Sequence, residues 1–163
     1  MKLDPIFTVK KNKLIRISSG RAVAMDSLKR MEIKWSNVEL QTEIYNEEYL
    51  AELRNKLKNL EIQNNFAILV PLVDKALNTN DDFETFINTY NHTARRVKDC
   101  VSVAGFELPS ELTAKGFGVG SPAANFMEKL AIKHAQYVYF VKQNNNNLVQ
   151  NKRSLIPESI VIY

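Results

Sequence analysis

From residue 31 onward the chain alternates extended and helical patterns, and this alternation restricts its fold more than any other feature. Phe66-Ala67-Ile68-Leu69-Val70 is a nearly continuous apolar run of strand length. A strand reads this way when both of its faces are covered, as in parallel sheets packed by helices. Before it, Leu50, Leu53, Leu57 and Leu60 recur at helical spacing. Asn46 precedes them as an N-cap, with Glu47 and Glu48 in the first turn, where the helix dipole favours acids. After it, Phe83, Phe86, Ile87, Tyr90, Ala94 and Val97 form a second apolar stripe. Ser121-Pro122 opens a third helix with Phe126, Met127, Leu130 and Ala131 inward. Residues 31–35, 101–108, 137–141 and 160–163 read as further strands, and the Asn-rich stretch 144–151 as a loop. The expected fold class is therefore α/β: a mostly parallel sheet with three amphipathic helices and right-handed crossovers.

The first part of the chain reads differently. Residues 7–9 and 14–18 flank Lys10-Lys11-Asn12-Lys13 and predict a β-hairpin. Residues 22–26 predict another short strand, and the short connection 27–30 suggests that it pairs antiparallel with 31–35. A single domain over 1–163 is expected, with hairpin and strands in 1–26 and the alternating body in 31–163. Nine of the 22 Lys and Arg fall in residues 1–34, against three of the 18 acids, so basic character gathers at the N-terminus. Such a patch attracts anions, but no nucleic-acid-binding fingerprint accompanies it.

One cysteine, Cys100, makes no intrachain disulfide and no cysteine-rich metal site, which points to a reducing, cytoplasmic setting. The longest apolar stretch, 66–73, contains Pro71 and is too short to span a membrane. No metal and no cofactor is expected. His92 is predicted to point away from its helix's apolar stripe into solvent, and His134 to cap the third helix.

In parallel α/β sheets, sites collect at the carboxyl ends of the strands. That rule selects Trp35 at the end of 31–35 and Asn37 after it, Asp74 after 66–73, Glu107 in 101–108 and then Glu111, and Lys142 after 137–141. The expected rim joins three carboxylates, Asp74, Glu107 and Glu111, with Trp35, Asn37 and Lys142 as substrate-binding groups. Gly116-Phe117-Gly118-Val119-Gly120 leads into the capped helix at Ser121 and offers a second, anion-binding site at Gly118, Gly120 and Ser121. It matches neither the Walker nor the Rossmann fingerprint.

The stretches EIYNEEYLAELRNKLKNLEIQNNFAILVPLVD and VSVAGFELPSEL resemble the early strand-helix units of retaining glycoside hydrolase (β/α)8 barrels, especially the family 5 cellulase type. In that family a strand ends with an acid/base glutamate, commonly after asparagine. Glu107 stands at the similar place, with Phe106 before it. The resemblance implies a half-barrel-like, truncated glycosidase scaffold and a carbohydrate ligand. Glycoside hydrolysis needs two carboxyl groups set across the sugar ring, and Asp74 is the expected partner of Glu107, with Trp35 stacking on the sugar.

The leading functional expectation is a non-catalytic ligand-binding or protein-interaction module on this scaffold. One alternative is a carbohydrate-active hydrolase using the paired carboxylates. A second is anion or nucleic-acid binding through the basic N-terminus. Exposed sheet edges further suggest a homo-oligomer or a covering hairpin.

Overall fold

The computed structural model describes residues 3–143 and 155–163. The expected loop at 144–151 lies outside these residues. The chain opens with a three-stranded antiparallel sheet, β1 (Phe7–Lys10), β2 (Lys13–Arg16) and β3 (Arg21–Ala22). Lys11 and Asn12 turn β1 into β2 with φ of 50° and 60°. Two positive φ angles belong to the type I′ turn, whose twist suits a two-residue hairpin.

Then β4 (Lys29–Lys34) begins the main sheet. A one-turn helix α1 (Trp35–Val38) and a small hairpin, β5 (Glu39–Gln41) with β6 (Ile44–Tyr45), lead to α2 (Glu47–Ile62). β7 (Ala67–Leu72), α3 (Asn80–Arg96) and β8 (Val103–Glu107) follow. α4 (Ser110–Thr113), α5 (Pro122–Ala131), β9 (Val138–Val141) and β10 (Ile160–Ile162) complete the order.

The main sheet has five strands in the order β10-β9-β8-β7-β4, every neighbouring pair parallel. Strands therefore add in chain order, as the alternating pattern predicts. The caps are where the sequence places them: Asn46 accepts from the Tyr49 N–H, and Ser121 from that of Ala124. Thr79 adds a capping box with Asp82.

One expectation fails. Residues 22–26 and 31–35 do not pair antiparallel. β3 pairs with β2, a 3-10 turn occupies Met25–Ser27, and β4 pairs parallel with β7. The connection is short enough for a hairpin, but Met31 and Ile33 find their apolar partners against the helices.

The two faces of the main sheet are covered differently. Ile33, Leu69, Phe106 and Val141 pack with Leu50, Leu57, Phe86, Tyr90 and Phe126 of the long helices. Ile68, Val70, Ala104, Phe140 and Val161 pack with Phe7 and Leu14 of the N-terminal hairpin. β8 and β9 come so close that a Cβ on Gly105 would lie 1.6 Å from the Val138 carbonyl oxygen, which only glycine allows.

The hairpin also reaches a sheet edge. The Asn12 side chain donates to the Ile162 carbonyl at 3.0 Å and accepts from its N–H at 2.8 Å. One amide thus substitutes for a neighbouring strand at the outer edge of β10. The outer edge of β4 carries Lys29, Arg30, Glu32 and Lys34, charges that oppose edge pairing. Among the described residues no helix is long and apolar enough to cross a membrane.

Candidate functional site

β8 turns Glu107 onto the hairpin side of the sheet, opposite Phe106. Its side chain is 3% exposed, and a carboxylate that deep needs donors. Arg30, on β4, supplies them across β7: Nη2 donates to Oε1 and Oε2 at 3.1 and 3.0 Å, and Nε to Oε1 at 3.3 Å. Tyr163, just past β10, completes a ring of bonds. Its hydroxyl accepts from Arg30 Nε at 2.9 Å and donates to Glu107 Oε1. Burial, with the adjacent Glu107 as acceptor and negative charge, pushes the Tyr163 phenol well above its ordinary pKa. The phenol therefore remains a donor throughout the neutral range.

A cleft of about 340 Å³ opens beside this triad at the carboxyl ends of β7 and β8. Arg30, Lys34, Asp74, Glu107, Ser110 and Glu111 supply its polar lining, with Val70 to Val73 as its apolar wall. Asp74 accepts from the Ser36 backbone N–H at 3.0 Å and from the Ser36 hydroxyl. Glu111 accepts from the Ser110 hydroxyl at 3.2 Å. The three carboxylates selected from the sequence thus line one cleft.

The expected substrate-binding groups lie elsewhere. Trp35 is 2% exposed and belongs to the helix-side core, edge-on to Phe86 at 5.2 Å. Its Nε1 donates to Glu39, and the Lys75 ammonium lies 5.2 Å from its ring centre. No indole face remains for a sugar, because the chain bends into α1 at Trp35 and carries the ring under α3. Asn37 is exposed on α1, Lys142 follows β9 half-buried, and neither lines the cleft. Gly118, Gly120 and Ser121 line a separate cavity between α3 and α5.

Several residues escaped sequence reading. Arg30 and Tyr163 hold Glu107 from 77 and 56 positions away, a separation no local pattern reveals. Buried Glu39 gathers Lys75 at 3.1 Å, Trp35 and Thr89 beneath the rim. His92, expected in solvent, stacks on Tyr45 at 4.1 Å and bonds Glu47 at 2.7 Å. Burial raises the Glu47 carboxyl, but its bonds to His92 and Arg96 outweigh that and hold it below the usual range. His134 is buried, at 4% exposure, just past α5.

No family model and no curated protein matches the chain. Solved structures do. Endo-glycoceramidase II from a Rhodococcus species superposes with a TM-score of 0.54 at 12% identity, over 87% of this chain and 48% of that one. A GH5_18 protein from Bifidobacterium longum subsp. infantis gives 0.50 at 10%, over 69% and 33%. One from Bifidobacterium longum subsp. longum gives 0.52 at 9%, over 72% and 35%. This chain therefore spans less than half of each of these structures. At such identity the likeness is one of fold, and the chain shares its strand-helix architecture with part of the family 5 glycoside hydrolase (β/α)8 barrels.

Proposed function

We propose that the chain is a non-catalytic binding module whose cleft, at Lys34, Asp74, Ser110 and Glu111, takes a small hydroxyl-rich ligand of the carbohydrate class. The observation that carries this reading is the engagement of Glu107. A general acid must hold a proton and release it to the leaving group. Glu107 instead accepts from a two-pronged guanidinium and a phenol, so both of its oxygens are engaged within the protein and neither is presented to a leaving group. The lining beside it combines the cationic donor Lys34 and the Ser110 hydroxyl with the carboxylate acceptors Asp74 and Glu111, which suits hydroxyl groups that both give and accept. Endo-glycoceramidase II, which shares this fold, is described in a cellobiose-like imidazole complex and as a lactosyl-enzyme intermediate.

Amide chemical shifts of the ¹⁵N-labelled chain, titrated with cellobiose and with lactose, test this. Movement confined to Val73, Asp74, Ser110 and Glu111, with no turnover of nitrophenyl glycosides, is the expected result. Absence of shifts in the cleft with both sugars would remove the reading. The convergence of Asp74, Glu107 and Glu111 favours a second reading, a glycoside hydrolase. Turnover that disappears in Glu107→Gln would establish it in place of the first.

A further inference from the structure

A second concavity runs along the outward side of α3. One part, about 770 Å³, lies between α3 and the loop that starts α5. The other, about 380 Å³, lies between α3 and the β5–β6 hairpin. Asn88 and Lys129 line both, so the two form one continuous groove. From Asn80 to Arg95, α3 rises about 22 Å, the length of six or seven extended residues.

Four side-chain amides stand in the polar lining beside five charged groups. Asn80, Asn88 and Asn91 stand along α3, and Asn125 belongs to α5. Asn91 Oδ1 is buried with no partner among the described residues. An asparagine amide carries the same donor and acceptor as a peptide unit. This molecule already uses that equivalence, since Asn12 engages both the N–H and the C=O of Ile162 in an extended strand.

Two observations choose among polymers. Sugars bind grooves largely by stacking on open aromatic faces, and the Phe83 and Tyr45 rings that line this groove are both covered. Lys115 covers the Phe83 ring at 5.2 Å, His92 covers Tyr45, and both rings otherwise pack on the core. The charged lining is Lys115, Lys129 and Arg95 against Glu84 and Glu43, a slight cationic excess. We propose that this groove docks an extended, neutral-to-acidic peptide segment of a partner protein. Asn80 and Asn88 pair with its backbone, and Lys115, Lys129 and Arg95 with its acidic side chains.

The test is selection of a phage-displayed random heptapeptide library on the full chain, followed by fluorescence anisotropy of the winning peptide. Enrichment of Asp and Glu is expected. Binding should weaken at least tenfold in Asn80→Ala/Asn88→Ala and in Lys129→Glu, all at exposed or half-exposed positions, with circular dichroism verifying the fold. Asp74→Ala, in the other cleft, should leave it unchanged. No enrichment, or a winner indifferent to the groove substitutions, overturns the proposal. Perturbation of the Asn80 and Asn88 amides by cellohexaose, without peptide binding, also overturns it by assigning the groove to a glycan.

Discussion

Glu107 owes its position to three strands and its counter-charge to one arginine. Arg30 is 30% exposed and Glu107 only 3%, so removing the arginine leaves a buried carboxylate without a counter-charge. Breaking such a pair costs about 3–5 kcal/mol, whereas replacing both members by apolar groups of similar volume is often neutral. Arg30→Met should therefore destabilise by about that amount in urea unfolding. Arg30→Met/Glu107→Leu/Tyr163→Phe, which removes every polar group of the ring, should recover most of the loss. A triple variant as unstable as the single one would show that the ring's worth is not electrostatic. The same residues explain what sequence reading missed. Glu107 ends a recognisable apolar strand, but Arg30 falls one residue before the strand expected from Met31, in the connection expected at 27–30. The two meet only because β7 lies between β4 and β8.

At the scale of elements, the N-terminal hairpin is both cover and edge guard. Phe7 and Leu14 bury one face of the main sheet, while Asn12 satisfies β10 from outside. A strand edge without partners exposes its amide to solvent and exchange. Asn12→Ala should accordingly raise the hydrogen-exchange rate of the Ile162 amide at least tenfold and leave that of Leu69, in the sheet interior, unchanged. Equal protection in both proteins would mean that the Asn12 bonds do not hold the edge. The helices were legible because caps and apolar periodicity are local: Asn46, Ser121 and the Leu50 to Leu60 stripe all appear where expected. The pairing of β4 was not, because a short connection permits both a hairpin and a strand that joins a different sheet. Only burial of Met31 and Ile33 against the helices decides between them.

Over the whole molecule, all six tyrosines, 45, 49, 90, 137, 139 and 163, have pKa values raised, each primarily by burial. A raised native pKa means that the folded chain keeps its phenolic protons after the unfolded chain begins to lose them, near pH 10. Stability should thus show no tyrosine-linked change through the neutral range. It should fall as pH rises above about 10, because the unfolded state then binds fewer protons than the folded one. Absorbance at 295 nm should report little tyrosinate in the folded protein at pH 10, then rise together with loss of far-ultraviolet circular dichroism. Tyrosinate appearing well before unfolding would contradict the burial seen here.

What the sequence determined by itself was periodic: the three long helices, the buried strands, the parallel alternating body, and Asp74 and Glu107 close to the ends of their strands. These follow from side-chain spacing within each segment and from the order in which segments alternate, and need no knowledge of which distant side chains meet. Tertiary structure alone decided that Arg30 and Tyr163 close on Glu107, that Trp35 turns into the core, and that the hairpin takes the opposite face of the sheet from the helices. Each of those outcomes depends on desolvation, and how deeply a group is desolvated is settled by which distant segments fold over it.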